Sequence, residues 1–100
     1  MRNIEVIRAF KNGATKGLAC HLYIKGNELI NYSTTLAWRD ENGGFHVNTK
    51  KYSVTTSKIQ SAIMSELGEK IVEKYVGENP YYYWNYGYQG AEPIRASDIY

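Results

Sequence analysis

The sequence predicts an α+β domain: an antiparallel sheet of three to four strands, one helix packed on it and broken near Gly68, and an aromatic C-terminal strand or tail. Three observations carry this. Leu18 to Lys25 alternates, with Leu18, Cys20, Leu22 and Ile24 on one parity and Ala19, His21, Tyr23 and Lys25 on the other, the two-residue period of a half-buried strand. Gly26-Asn27 follows with the spacing of a two-residue hairpin. From Ser57 the period changes to that of a helix, with Ile59, Ala62, Ile63 and Leu67 forming an apolar stripe.

Asn3 to Phe10 reads as a first strand, with Ile4, Val6 and Arg8 on one parity, and Lys11-Asn12-Gly13 as the turn that ends it. Glu28 to Arg39 reads as one long strand carrying Ile30, Tyr32, Leu36 and Trp38, with a bulge near Ser33-Thr34-Thr35 to relieve its length. Asp40 to Gly44 is a loop, and Phe45 to Thr49 returns as a short strand. These strands form a meander to which the N-terminal strand is added.

Ser57-x-x-Gln60 matches a capping box and sets the helix start there, with Thr55 or Thr56 as alternative caps. The stripe from Ile59 to Leu67 covers roughly 80° of the helix, whereas Ile71, Val72, Tyr75 and Val76 lie on its far side. One straight helix cannot turn both sets toward the same sheet. A break at Gly68 is expected, with a second short helix to Val76 capped by Gly77; the alternative is one long helix whose second half buries a different face. Asn79-Pro80 stops the helix.

One hundred residues suit a single domain, read here as a sheet-plus-helix core over 3–77 and an aromatic-rich extension over 78–100. No apolar run approaches the ~20 residues that cross a bilayer, and the charged start MRNIEVIRAF is unlike a signal peptide, so no membrane partner is expected. A single cysteine forms no internal disulfide and suits a reducing compartment, the cytoplasm of the producing cell. Residues 1–58 carry nine Lys/Arg against four Asp/Glu, and residues 59–100 three against six, which points to a charged partner on the basic side. The weak net charge of +2 argues against a mimic of duplex DNA, which needs a densely acidic surface.

No catalytic or metal constellation emerges, and no cofactor is expected. Cys20 and His21 are strand neighbours whose side chains leave opposite faces, so they cannot grip one ion. Cys20 shares its parity with three aliphatics, the setting of an inert buried thiol, which argues against a Cys20–His46 pair. Glu66–Lys70 and Glu69–Glu73 are i,i+4 helix neighbours of a solvated face. Gly43-Gly44 lies between strands and is no phosphate loop.

Two stretches stand out as contact surfaces. Lys50, Lys51, Ser53, Thr55, Thr56, Ser57 and Lys58 gather three cations and four hydroxyls at a helix N-terminus, whose dipole already favours an anion such as a nucleic-acid phosphate. The plain reading is a capped helix after a solvated loop. The second stretch is Tyr81, Tyr82, Tyr83, Trp84, Tyr86 and Tyr88, six aromatics in eight residues. Tyr82, Trp84, Tyr86 and Tyr88 share one strand parity. Part of the run is then cover for a sheet edge or helix, and the exposed remainder suits a protein partner or the bases of single-stranded nucleic acid.

Tyr32-Ser33-Thr34, Asn48-Thr49 and Tyr52-Ser53-Val54-Thr55-Thr56-Ser57 resemble the recurring elements of a small domain common in proteins of phages and other mobile elements, and the likeness extends over about residues 3–67. Some bearers of that domain inhibit host CRISPR–Cas immunity. The resemblance implies an anti-CRISPR-like, non-enzymatic inhibitor working in the cytoplasm of a bacterial host. Its partners would be a Cas effector complex, met through the aromatic run, and an RNA or DNA backbone at the basic helix start. The competing class is a nucleic-acid-binding accessory protein of the phage.

Overall fold

A computed structural model describes residues 1–77. The α+β class holds, in a richer form: among the described residues two α-helices and one six-stranded mixed sheet replace one helix on three to four antiparallel strands. The aromatic run Tyr81–Tyr88 lies outside the described residues.

The N-terminal segment is a helix, α1 (Asn3–Lys11), and not the strand that the alternation of Ile4, Val6 and Arg8 predicts. A strand would place Ile7 beside Glu5 on the polar face. The helix brings Val6, Ile7 and Phe10 onto one side, where all three are fully buried. The Arg2 amide donates to Glu5 Oε1 at 2.9 Å to start it. The Asn12-Gly13 signal does end the element, as a helix stop: Gly13 takes φ +96° and the Ala14 amide reaches back to Ala9 O at 3.0 Å.

Leu18 to Lys25 is not one strand. It divides into β1 (Lys16–Leu18) and β2 (Leu22–Lys25), an antiparallel pair closed by Ala19, Cys20 and His21. Leu22 and Ile24 are buried as their parity requires, but Leu18 is 64% exposed. Gly26-Asn27 makes the expected hairpin into β3 (Glu28–Asn31), with Lys25 opposite Glu28 and Gly26 at φ +61°.

The long strand from Glu28 to Arg39 is also two, β3 and β4 (Thr34–Arg39), joined at Tyr32-Ser33. Tyr32 sits at φ +56°, a conformation that composition gives no reason to assign to tyrosine, and this is why the turn is hidden in the sequence. The irregularity expected nearby is present as a register shift: Leu29 faces Ala37 while Ile30 faces Thr35, leaving Leu36 as the extra residue. β5 (Phe45–Asn48) completes the meander after the loop Asp40–Gly44.

The second helix, α2 (Val54–Leu67), carries the predicted stripe inward, with Ile59, Ile63 and Leu67 buried. Its start differs from the capping-box reading. Ser53 is the cap, its Oγ accepting from the Thr56 amide at 3.1 Å, and the Gln60 side chain is buried and donates to Asn48 O and Lys50 O at 2.8 and 2.9 Å. The break at Gly68 is real, with Gly68 at φ +49°. Among the described residues beyond it, the expected second helix to Val76 does not form. A 3-10 turn (Gly68–Lys70) leads into β6 (Ile71–Tyr75), which pairs parallel to β5. The far-side phase of Ile71 to Val76 thus marks a change of element. The predicted i,i+4 pairs dissolve with it: Glu66 bonds Arg8 of α1 at 3.1 Å, and Glu73 belongs to the strand.

The strand order is β1-β2-β3-β4-β5-β6. Both helices join one cluster with Leu22, Ile24, Leu29, Ala37, Phe45 and Val47, so they cover the same face of the sheet. Arg39 ties the layers at one corner, donating to Phe10 O, Ala14 O and Gly26 O at 2.7, 3.1 and 3.0 Å, with its guanidinium 4.9 Å from the Phe10 ring. Burial lowers the Arg39 pKa from its ordinary value, a cost that these bonds offset.

Candidate functional site

The approach to α2 is where the lysines and hydroxyls gather, and it is held by two asparagine side chains, on β5 and β3, and by a backbone carbonyl of β6. Asn48, fully buried at the end of β5, donates through Nδ2 to Tyr52 Oη at 2.9 Å and accepts the Lys50 amide at 3.0 Å. The Thr49 amide and hydroxyl both bond Tyr75 O on β6. Thr56 donates to Asn31 Oδ1 on β3 at 3.2 Å. The loop from Thr49 to Ser53 is therefore pinned at both ends although it has no regular structure.

Seven residues were singled out here, and the structure separates them. Lys51, Ser53, Ser57 and Lys58 line an open depression of about 530 Å³, together with Tyr52, Val54 and Ser61. Thr55 is exposed nearby. Lys50 is exposed but is not part of the depression, its ammonium lying 5.6 Å from the Tyr52 ring centre. Thr56 is buried, its hydroxyl committed to Ser53 and Asn31, so it faces no ligand.

Sequence reasoning missed Tyr52, Val54 and Ser61. Ser61 was within reach, because it lies one helical turn beyond Ser57. Val54, 76% exposed, carries no such signal. Electrostatically the arrangement is one-sided: the first turn of α2 has no acidic residue, and Lys51 and Lys58 stand at its positive end. Such a surface suits an anion with an apolar edge.

A second polar cluster lies across the sheet. His46 on β5 is bridged between two carboxylates, Nε2 to Asp40 Oδ2 and Nδ1 to Glu73 Oε1, each at 2.8 Å, and its ring stacks on Trp38 at 3.8 Å with the planes 7° apart. Burial pushes the Asp40 carboxyl up, but hydrogen bonds from His46 and from the amides of Gly44 and Asn42 outweigh it and hold the group below its ordinary range. Both ring nitrogens are thus engaged in tying the β4–β5 loop to β6.

Cys20 is exposed in the β1–β2 turn and not buried with aliphatics, which corrects the parity reading; His21 beside it stacks on Tyr32 at 4.4 Å. Among the described residues, no group of three or more His, Cys, Asp and Glu is placed to hold a metal ion, and no helix is long and apolar enough to cross a membrane. No family model, curated protein or solved structure matches this chain.

Proposed function

We propose that this protein is a non-enzymatic inhibitor of host defence encoded by a phage, of the anti-CRISPR kind, which occupies a Cas effector complex in the cytoplasm of a bacterial host. The observation that carries the reading is the pinned approach to α2, which presents Lys50, Lys51 and Lys58 on an exposed surface without a carboxylate in the first helical turn. Rigid presentation limits the ordering cost of binding. Exposed Tyr52 and Val54 add apolar contact next to the charges. The likeness of residues 32–60 to a small phage domain supports the same class. The aromatic run Tyr81–Tyr88 is not needed for this reading.

The same cations favour a second reading, an accessory protein that binds nucleic acid through its backbone. Salt separates the two. Generic binding to DNA or RNA through three lysines weakens with a log–log slope of about −2 to −3, and it needs no protein target. The deciding experiment is capture from bacteria expressing defence systems, followed by a cleavage assay on the retained complex. Lys50→Glu, Lys51→Glu and Lys58→Glu together are expected to lower capture and inhibition at least about tenfold. Unchanged inhibition by this variant removes the surface from consideration.

A further inference from the structure

A neutral imidazole carries one N–H and one bare nitrogen, whereas an ionised carboxylate only accepts. His46 meets a carboxylate oxygen at each ring nitrogen, Nε2 to Asp40 Oδ2 and Nδ1 to Glu73 Oε1, both at 2.8 Å. Turning the ring over would set carbon atoms against both oxygens, so this orientation is the one that bonds. Two hydrogen bonds need two protons. The neutral ring supplies one, and the second is taken up from solvent. Asp40 does not bring it: burial pushes its carboxyl up, but bonds from His46 and the amides of Gly44 and Asn42 hold it below its ordinary range.

The surroundings of the ring are simple. His46 alternates along β5 with Phe45 and Val47, which belong to the core under α1 and α2, so it stands on the opposite face of the sheet. Trp38, stacked on it from β4, does not titrate. Glu28 on β3 lies beyond Trp38 in the same cross-strand row, its carboxylate accepting from the Thr35 hydroxyl at 2.9 Å. Among the described residues, the titratable groups that touch the ring are therefore Asp40, from the β4–β5 loop, and Glu73, from β6.

When the ring gives up its second proton, one nitrogen turns a lone pair toward a carboxylate, and attraction becomes repulsion. The two arms are not equal. Asp40 is fixed through its other oxygen, Oδ1, which accepts the amides of Asn42 and Gly44 at 2.9 and 2.8 Å. Glu73 has no other hydrogen bond or ion pair among the described residues. The remaining proton stays on Nε2, toward Asp40, and the Glu73 arm opens.

We propose that His46 and Glu73 form a pH-sensitive latch between β5 and β6, closed when the ring carries two protons and open when it carries one. Carboxylates ordinarily lose their protons near about pH 4, and an imidazole its second one on the acid side of neutrality. The latch is closed between those limits and opens as the pH rises past the imidazole range. Its effect reaches the lysine surface, because Glu73 shares β6 with Tyr75, whose carbonyl accepts the Thr49 amide at 2.7 Å. An open latch loosens the strand that pins the start of the Thr49–Ser53 loop. The inference concerns the fold and does not rest on the proposed function.

His21→Gln leaves His46 as the only histidine, and nitrogen-15 NMR then reads both ring nitrogens across pH. Both are expected to be protonated at about pH 5.5, and Nε2 alone at about pH 8.5. A neutral ring protonated on Nδ1, or a ring that keeps both protons at the upper pH, overturns the proposal. In the natural chain, hydrogen exchange of the Thr49 amide, corrected for its intrinsic rate, reads the latch directly. Its protection is expected to fall at least about fivefold over the same range. Glu73→Gln bonds the ring in either state, its carbonyl accepting from Nδ1–H and its NH2 donating to bare Nδ1. The pH dependence of Thr49 protection should vanish in that variant. Its persistence there, or its absence in the natural chain, overturns the latch.

Discussion

Asn48 shows how much one side chain decides here. It is fully buried and takes part in five hydrogen bonds: to Thr35 O, Tyr52 Oη and Gly77 O as donor, and from the amides of Lys50 and Gly77 as acceptor. Buried polar groups left without partners are costly, so Asn48→Ala is expected to destabilise the protein by about 3 kcal/mol, read from urea unfolding, and to loosen the lysine surface with it. Asp40 makes a different prediction. Its folded carboxyl gives up a proton more readily than the unfolded one, whose ordinary value is 3.8. The resulting stabilisation is complete above that pH and is lost as the pH falls through the lower folded value. The difference in unfolding free energy between the natural protein and Asp40→Asn should therefore hold steady near neutrality and shrink below about pH 4. A gap that widens on acidification would refute the assignment.

The start of α2 separates two readings of the same hydroxyl-rich run. Ser53 accepts the Thr56 amide at 3.1 Å, and the Ser57 amide bonds Ser53 O, which places Ser57 inside the first turn. Ser53→Ala is expected to cost about 1 kcal/mol, the usual worth of a serine cap, while Ser57→Ala stays within about 0.5 kcal/mol. Thermal unfolding of the two variants checks this, and the reverse order would restore the capping-box reading. The displacement has a clear cause. Gln60, which a capping box would turn back toward Ser57, is instead drawn under the loop by Asn48 O and Lys50 O.

β6 closes the molecule. It is the last described strand, the one parallel member of the sheet, and it meets the rest through Glu73 on His46, Tyr75 O on Thr49, and Gly77 on Asn48. Because these contacts reach β5, the β4–β5 loop and the approach to α2, loss of β6 packing should be felt everywhere. Tyr75→Ala is expected to cost about 3 kcal/mol or more, and fluorescence and circular dichroism should still report one coincident transition. Val72→Thr, at a side chain 62% exposed on the same strand, should change stability by less than about 0.5 kcal/mol. Separate transitions by the two probes would show that β6 melts independently.

Local chemistry was enough for some of this. Gly26-Asn27 names its own hairpin, Gly68 its own helix end, and Ile59, Ile63 and Leu67 their own buried stripe, because each signal acts over a few residues through backbone freedom or helical spacing. That Lys51, Ser53, Ser57 and Lys58 lie near one another was legible too, since they are close in the chain. That Thr56 turns inward to Asn31 and Lys50 stays outside their depression was not. Whether residues 3–11 coil or extend, and whether residues 71–75 pair or coil, was not legible. Short apolar runs satisfy both periods, and the choice falls to whichever packs more surface: Val6, Ile7 and Phe10 against the sheet in one case, pairing with β5 in the other. The Asp40–His46–Glu73 bridge was invisible for the same reason. Its members are 27 residues apart at the extremes of one contact, and only the parallel return of the chain brings a carboxylate of β6 to a ring of β5.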